Sequence, residues 1–299
     1  MKIAIILNGI SRNKKTFYNE IHPLVAKEFD VTILETGYAG HAEELANQAV
    51  AQQFEIIMAA GGDGTLHQVT NGVLKAESAV LPTIGVIPLG TGNDFARTCS
   101  LQHNASQIIA LLRGFQPKLT DVGRIICFDM DGKKITRHFI NVCSLGMGPE
   151  VVRRIVKNSR SGGPALTYYV SIVSTFFSHR PQEIYYKAIG SEWKGRARVI
   201  AIANGKSFGN AMYIAPDAKV DDGIFHSFIA GDVALWKFLV YLQKIKGNRK
   251  ILDPMIHYHT LQGVELKSDT PCLLEADGEI EGLLPAYISI LPKKIYFLR

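Results

Sequence analysis

The chain has 299 residues, of which 47% are hydrophobic and 20% charged, and its formal net charge at pH 7 is +6. This length suits one large or two modest domains with ample buried core. No apolar run reaches the ~18 residues of a membrane-spanning helix, and the N-terminus leads directly into a strand pattern, which predicts a cytosolic protein without a signal peptide. The positive charge favours an anionic partner. Because no zinc-finger spacing or RNA-recognition motif accompanies it, nucleic acid is not the predicted partner.

The first part of the chain alternates short apolar runs with amphipathic segments, as βαβ units do. The predicted elements are, in chain order, a strand at Lys2–Leu7, a helix at Phe17–Phe29, a strand at Val31–Leu34, a helix at Ala42–Val50, a strand at Ile56, a helix at Leu66–Leu74 and a strand at Ile84–Ile87. This order predicts a doubly wound α/β domain over residues 1–124. In such a domain, ligands bind beyond the carboxyl ends of the strands.

After about residue 124 the pattern becomes typical of antiparallel strands. Ile125–Phe128 and Ile135–Val142 flank Asp131-Gly132 and predict a hairpin. Further strands are predicted at Glu183–Ile189, Arg196–Ala203, Ile224–Ile229, Val264–Lys267, Cys272–Ala276 and Tyr287–Ile290, with helices at Ala165–Phe177 and Val233–Ile245. The second domain, residues 125–289, is therefore predicted to be a mainly antiparallel, β-sandwich-like domain. Residues 290–299 are predicted to return to the first domain.

Two glycine-rich loops follow predicted parallel strands. The first reads Gly61-Gly62-Asp63-Gly64-Thr65 and the second Gly90-Thr91-Gly92-Asn93-Asp94. Glycines let backbone N–H groups approach an anion, and a following helix offers its positive end. Asp63 and Asp94 would repel phosphate unless a divalent cation lay between them, and two carboxylates suffice for Mg²⁺. A tight connection at the first loop and an ordinary helix N-cap at Asp94 are the simpler alternatives.

Four motifs together resemble the diacylglycerol kinase catalytic-domain superfamily, which includes bacterial lipid kinases and sphingosine kinases. They are GGDGT at 61–65, PLGTGNDFAR at 88–97, IAPDAKVDDG at 214–223 and EADGE at 275–279. GGDGT is shared with NAD kinases, whereas the GTGNDFAR loop with the downstream DGE points to lipid kinases. The resemblance implies an NAD-kinase-like α/β domain followed by a β-sandwich-like domain, with ATP and lipid meeting in the cleft.

The resemblance also implies roles for individual residues. Glu279 matches the residue that accepts the proton of the lipid hydroxyl, and Asp63 and Asp94 match residues that organise the catalytic Mg²⁺. A second, structural Mg²⁺ would be held by the Asp222 carboxylate and the backbone carbonyls of Lys219 and Ile224. The implied nucleotide contacts are Asn8, Gly9, Ile10, Ser11, Arg12, Thr36, Gly61, Gly62, Asp63, Gly64, Thr65, Leu66, His67 and Thr91.

Several residues leave alternatives open. Arg12 replaces the glycine that usually ends the first turn of the family and is itself a candidate phosphate contact. His67 is either a nucleotide contact or a solvent-facing helix residue. The basic run Lys244–Lys250 either complements a helix dipole or touches anionic lipid headgroups. The apolar helix Ala165–Phe177 is interpreted as core rather than as a lipid clamp, and the alternative that part of it lines the cleft is left open.

The sequence thus predicts an ATP- and Mg²⁺-dependent kinase of a membrane lipid, with diacylglycerol as the first candidate and phosphatidic acid as its product. The protein is predicted to be cytoplasmic and to contact the inner membrane face peripherally, and a homodimer is left open. The alternatives are an NAD kinase acting on a soluble substrate and a nucleotide-binding regulatory protein. The intact carboxylates at Asp63, Asp94 and Glu279 favour catalysis.

Overall fold

The structure is a computed structural model that describes residues 1–76, 78–102, 104–158 and 164–299. Two compact units divide the chain: Met1–Thr120 with Lys293–Arg299, and Asp121–Pro292. The second unit is therefore inserted into the first. The predicted boundary at residue 124 falls within the same strand as the observed division. None of the described helices has the length and hydropathy to span a membrane.

The first unit is built on parallel strands. Its elements are β1 (Lys2–Leu7), α1 (Lys14–Thr16), a π-helical turn (Phe17–Ile21), α2 (His22–Ala26), β2 (Asp30–Glu35), α3 (His41–Ala51), β3 (Ile56–Gly61), α4 (Asp63–Lys75), β4 (Thr83–Pro88), α5 (Asp94–Thr98) and α6 (Ala105–Gly114). The strand order is β4-β3-β1-β2, all parallel. β1, β3 and β4 are almost wholly buried, as expected for strands covered on both faces.

Helices cover both faces of this sheet. Ile3, Ile5 and Leu7 pack with residues of the π-helical turn, α2 and α6 in one apolar cluster. Side chains of the other parity, such as Ala4 and Ile6, are also fully buried, and α3 contacts β1 while α4 contacts β3. The doubly wound α/β prediction is confirmed.

The predicted helix over Phe17–Phe29 is displaced toward the N-terminus and is not regular. A continuous helical run extends from Lys14 to Ala26 through α1, the π-helical turn and α2, and Pro23 lies in the first turn of α2. Proline has no N–H to donate and its ring clashes with the preceding turn, so a regular α-helical hydrogen-bond pattern cannot continue through this position.

The second unit is mainly antiparallel. Its elements are β5 (Lys118–Phe128, shared with the first unit), β6 (Lys134–Phe139), β7 (Val142–Gly146), α7 (Met147–Asn158), α8 (Pro164–Ser178), β8 (Gln182–Ala188), β9 (Ser191–Ala203), β10 (Phe225–Gly231), α9 (Leu235–Lys246), β11 (Ile256–Leu261), β12 (Gly263–Ser268), β13 (Leu273–Ala276) and β14 (Glu279–Phe297). β7, β9, β8, β12, β14 and β13 pair in a closed ring of antiparallel strands. The β-sandwich-like prediction is therefore confirmed as a six-stranded closed sheet with additional strands.

Two apolar clusters hold the second unit together. One fills the inside of the closed sheet, where the rings of Phe139 and Phe225 stack 5.5 Å apart. The other lies between the outer face of β9 and β10 and the helices, and it includes Phe228, Ile172 and Leu242. The core role predicted for the helix at Ala165–Phe177 is met by its inward residues, whereas its outward residues are exposed.

The predicted strand over Ile135–Val142 is interrupted. β6 ends at Phe139 and β7 begins at Val142, and the backbone N–H groups of residues 140–142 point to a carboxylate instead of a neighbouring strand. The helices α6 and α7 were also absent from the sequence prediction.

Candidate active site

The first glycine loop joins β3 to α4 at the carboxyl end of the parallel sheet. Gly61 ends the strand, and Asp63 is the first helical residue. A Cβ atom on Gly61 would lie 2.2 Å from the Thr65 hydroxyl oxygen, so only glycine fits there. The N–H groups of the first turn of a helix have no partners within that helix. In α4 these N–H groups follow directly after the glycine loop.

The second glycine loop lies directly against the first. The N–H groups of Leu89 and Gly90 both donate to the Gly61 carbonyl, and a Cβ atom on Gly90 would lie 2.4 Å from Gly62 Cα. Asn93, in the left-handed region at φ 51°, accepts from the Gly90 N–H and donates to the carbonyls of Pro88 and Gly90. The glycines are therefore required for the contact between the loops as well as for approach to a ligand.

Asp63 connects the two loops through its carboxylate. Its oxygens accept from the backbone N–H groups of Asp94 at 3.1 Å and Phe95 at 3.2 Å. Asp94 is only 2% exposed and pairs with Arg97 at 3.0 Å. Asn93 occupies the N-cap of α5, so the alternative interpretation of Asp94 as the N-cap is wrong by one residue.

The loops after β1 and β2 meet the glycine loops at the same sheet edge. The Asn8 side-chain amide donates to the Thr65 hydroxyl at 3.3 Å, and the Gly9 N–H donates to the Thr36 hydroxyl at 3.0 Å. Asn13, which the sequence reasoning missed, donates from its amide to the Leu89 carbonyl at 2.9 Å. The structure thus brings together the loops that carry the predicted nucleotide contacts.

The individual nucleotide candidates differ in exposure. Ile10, Arg12 and Thr91 are exposed, Ser11 and Gly64 are half-buried, and Leu66 and His67 are buried in α4. The solvent-facing alternative for His67 is wrong, because the ring is fully buried and lies 3.3 Å from the Asn71 amide. Burial also argues against side-chain contacts to nucleotide from Leu66 and His67.

In the second unit, the Asp277-Gly278 turn joins β13 to β14 and is held by buried carboxylates. Both turn residues have positive φ. The Asp277 carboxylate accepts three backbone N–H groups, from Ile140 at 2.9 Å and from Asn141 and Val142 at 3.0 Å each. Asp277 is therefore a structural residue, and the half-buried Glu279 comes directly after the turn that it fixes.

Glu275 stabilises the same turn from the strand before it. Its carboxylate accepts the Ser144 hydroxyl and, at 3.1 Å, the Gly278 N–H. Burial, and to a smaller extent the charge of Glu275, raises the pKa of the Cys143 thiol well above its ordinary value. Cys143 is thus a neutral core residue.

The loop predicted to hold a structural metal is fixed by a residue that sequence reasoning missed. The buried Asp121 carboxylate accepts the Gly223 N–H at 2.7 Å, and the Asp121 N–H donates to the Val220 carbonyl. Asp222 is exposed and its carboxylate accepts the Ile224 N–H at 3.2 Å. Asp121 lies outside every recognised motif, so only the structure could identify it.

Within the described ranges, no three His, Cys, Asp or Glu side chains form a group that could hold a metal ion. The predicted Lys219, Asp222 and Ile224 set uses two backbone carbonyls and is not of that kind. Upstream of this loop, Gly209, Asn210 and Ala211 have consecutive positive φ values of 61°, 64° and 65°. Asn210 and Ala211 thus occupy a left-handed conformation that residues other than glycine rarely adopt.

Comparison with models of known protein families identifies the family of this chain. Residues 2–125 match the diacylglycerol kinase catalytic domain, and residues 141–299 match the YegS C-terminal NAD kinase beta sandwich-like domain. The chain belongs to the diacylglycerol kinase family of lipid kinases. The recognition made from the four motifs is confirmed.

Individual relatives of this lipid kinase extend over nearly the whole chain. The diacylglycerol kinase of Bacillus subtilis (strain 168) is 27% identical over 300 residues, which cover 99% of this chain and 96% of the relative. A crystal structure of a candidate diacylglycerol kinase from Bacillus anthracis str. Sterne has a TM-score of 0.79 at 24% identity, covering 99% and 96% of the two chains. Yeast NADH kinase in complex with NADH has a TM-score of 0.53 at 13% identity, covering 99% and 82%. The two structures establish the NAD-kinase-like fold.

Proposed function

We propose that this lipid kinase transfers the γ-phosphate of ATP to a hydroxyl of a membrane lipid, with diacylglycerol as the first substrate to test and phosphatidic acid as its product. The observation that carries the proposal is the pair of glycine loops in contact at Gly62 and Gly90 and connected by the Asp63 carboxylate. Two glycine-rich loops that each begin a helix suit a chain of phosphates better than a single tight turn does. The relative in Bacillus subtilis supports the choice of diacylglycerol.

The residues at this sheet edge fit a nucleotide and its cation. The backbone N–H groups at the start of α4 would bind phosphate oxygens, and the hydroxyl of Thr91, which is exposed, would contribute a further donor. Asp63 and Asp94 would hold Mg²⁺. Each carboxylate oxygen has two lone pairs, so the two N–H groups on Asp63 leave acceptor capacity for the ion or its waters. Bound there, Mg²⁺ would neutralise charge on the β- and γ-phosphates.

Glu279 is proposed to accept the proton of the lipid hydroxyl. The hydroxyl oxygen forms a bond to the γ-phosphorus as the bond to the ADP oxygen breaks, and the hydroxyl proton passes to the Glu279 carboxylate. Phosphoryl transfer depends mainly on positioning and charge stabilisation, so the fixed turn formed by Asp277 and Glu275 would hold Glu279 in place. In the second unit, Asp222 with the carbonyls of Lys219 and Ile224 is proposed to hold a structural Mg²⁺.

The proposal is tested with radiolabelled ATP, Mg²⁺ and a total lipid extract in detergent, followed by chromatographic separation of the lipids. We expect one lipid to gain phosphate and to comigrate with phosphatidic acid. Glu279→Gln should lower turnover by about 10²–10⁴-fold while ATP affinity stays unchanged. Glu192→Gln, an exposed carboxylate of the same unit, is the matched control and should behave as wild type. Native turnover of Glu279→Gln would refute the role of Glu279.

The same assay distinguishes the alternatives. Incubation with NAD in place of lipid would yield a phosphorylated dinucleotide if the chain were an NAD kinase. Binding of ATP without transfer to any lipid or to NAD would identify a nucleotide-binding regulatory protein.

A further inference from the structure

The helices α8 and α9 of the second unit lie side by side and antiparallel. The rings of Phe176, near the end of α8, and Phe238, near the start of α9, are 4.5 Å apart. At the other end, the Lys246 ammonium lies 5.6 Å from the Tyr169 ring centre. The inward residues of both helices pack into the cluster over β9 and β10. Their outward surfaces therefore form one continuous face.

This outward face is apolar where a solvated helix pair would be polar. Val170 and Phe177 on α8 are 54% and 69% exposed, and Trp236 and Val240 on α9 are 66% and 46% exposed. Spacings of seven and four residues place each pair on one side of its helix. Such contiguous exposed apolar surface marks an interaction site. We call these four residues the helix face.

The charges at the end of α9 that lack an ion-pair partner are all positive. Neither residues 164–180 nor residues 235–252 contain an Asp or Glu. Lys237 pairs with Asp253, and Lys250 pairs with Asp217. The exposed basic residues that remain at the end of α9 are Lys244, Lys246 and Arg249, and the ion pairs of the described chain leave these three uncompensated. The helix face is therefore bordered by cations.

We propose that the helix face docks the enzyme onto an anionic lipid bilayer. Tryptophan is favoured at membrane interfaces, apolar helix faces enter the headgroup boundary, and each nearby Lys or Arg adds attraction to anionic lipid. A second copy of the chain fits less well, because its helix face brings more cations and no carboxylate to pair with them. The proposal rests on the proposed function only in explaining how the enzyme reaches a substrate held in a membrane.

Tryptophan fluorescence tests the docking directly. The chain has two tryptophans, Trp193 and Trp236, so Trp193→Phe leaves Trp236 as the sole reporter. Vesicles of phosphatidylglycerol and phosphatidylcholine should shift Trp236 emission to the blue, and brominated acyl chains should quench it. Vesicles of phosphatidylcholine alone should do so weakly. Emission that stays unchanged with both vesicles would overturn the proposal.

Vesicle sedimentation then separates the apolar and the charged contributions. Phe177→Ser with Val240→Ser should weaken binding at least about tenfold, and Lys244→Gln and Arg249→Gln should each weaken it about fivefold on anionic vesicles. The matched controls are Ile189→Ser, a fully exposed apolar residue of the turn between β8 and β9, and Lys133→Gln, an exposed turn residue. Equal losses in the controls would refute the assignment of binding to the helix face.

Two further measurements separate this proposal from its rivals. Light scattering of the wild type and the Phe177→Ser, Val240→Ser variant reports self-association. A dimer that this variant dissociates, without vesicle binding by either protein, would assign the helix face to a second copy. Lipid phosphorylation in detergent micelles should be the same in both proteins. Vesicle docking without any lipid phosphorylation would contradict the proposed function but leave the docking surface intact.

Discussion

Replacing Asp277 by Asn should destabilise the second unit measurably although the side-chain shape is retained. The wild-type carboxylate accepts three N–H groups: one oxygen serves Asn141 and Val142, and the other serves Ile140. In Asp277→Asn, the amide oxygen can keep the first pair, but the amide NH₂ then faces the Ile140 N–H. Loss of one charge-assisted bond and one buried unsatisfied donor should cost about 2–3 kcal/mol.

Backbone strain does not contribute to the stability difference between the wild type and the Asn or Gly variant at position 277. Asp277 has φ 52°, a left-handed conformation that Asn and Gly tolerate but Ala does not. Asp277→Gly removes all three acceptor contacts without adding strain and should cost more than Asp277→Asn, at least about 3 kcal/mol. Asp131→Asn, in an exposed turn, is the control and should stay within about 0.5 kcal/mol of wild type.

Urea unfolding followed by tryptophan fluorescence is the assay, because both tryptophans lie in the second unit. Amide hydrogen exchange adds a local measurement: the Ile140 N–H should lose protection in Asp277→Asn, and the N–H groups of residues 140–142 should all lose protection in Asp277→Gly. Unfolding free energies within about 0.5 kcal/mol of wild type, with unchanged exchange at these amides, would refute the structural role of Asp277.

Three further outcomes are expected. Gly90→Ala places a Cβ 2.4 Å from Gly62 Cα and should separate the loops, weakening ATP binding by up to about 10²-fold in calorimetry; native affinity would contradict the loop contact. Burial lowers the pKa of His226 below its ordinary 6.5, against the opposing charge of Asp222, so protons bind the unfolded chain more tightly and the free energy of unfolding should fall as pH drops through 6.5. His226→Asn should reduce this pH dependence. A free energy of unfolding in urea that depends on pH equally in both proteins would contradict this role of His226. Ala211→Gly should raise the unfolding free energy by about 1 kcal/mol, since φ 65° is strained for alanine; a lower melting temperature would contradict this.

The parallel sheet and its two glycine loops could be predicted because their signals are local. Buried parallel strands appear as uninterrupted apolar runs, as at Ile84–Ile87, and a glycine loop between such a run and a helix has few structural solutions. The carboxyl ends of parallel strands meet at one edge, so the convergence of Asn8, Thr36, Thr65 and Gly90 followed from the topology.

The contacts between distant carboxylates and backbone N–H groups could not be predicted in this way. The Asp277 carboxylate accepts the N–H of Asn141, 136 residues away in the sequence, and so interrupts the strand there. The Asp121 carboxylate accepts the N–H of Gly223, 102 residues away. Periodicity records which side of a strand is apolar and contains no information on where a remote oxygen will lie. For the same reason, Asp63 could be predicted as an acidic group of the site but not as the acceptor of the N–H groups that start α5.

The last strand of the chain affects how the protein must be synthesised. Phe297 pairs with Ile84 on β4, and its ring packs against Phe95 at 5.1 Å. β4 therefore leaves the ribosome long before residues 293–299 are synthesised. The edge of β4 that pairs with Phe297 stays unpaired while the whole second unit is made. Open strand edges recruit other chains. A fragment ending at Thr120 should therefore aggregate. Fusing residues 293–299 to the C-terminus of this fragment should restore its solubility.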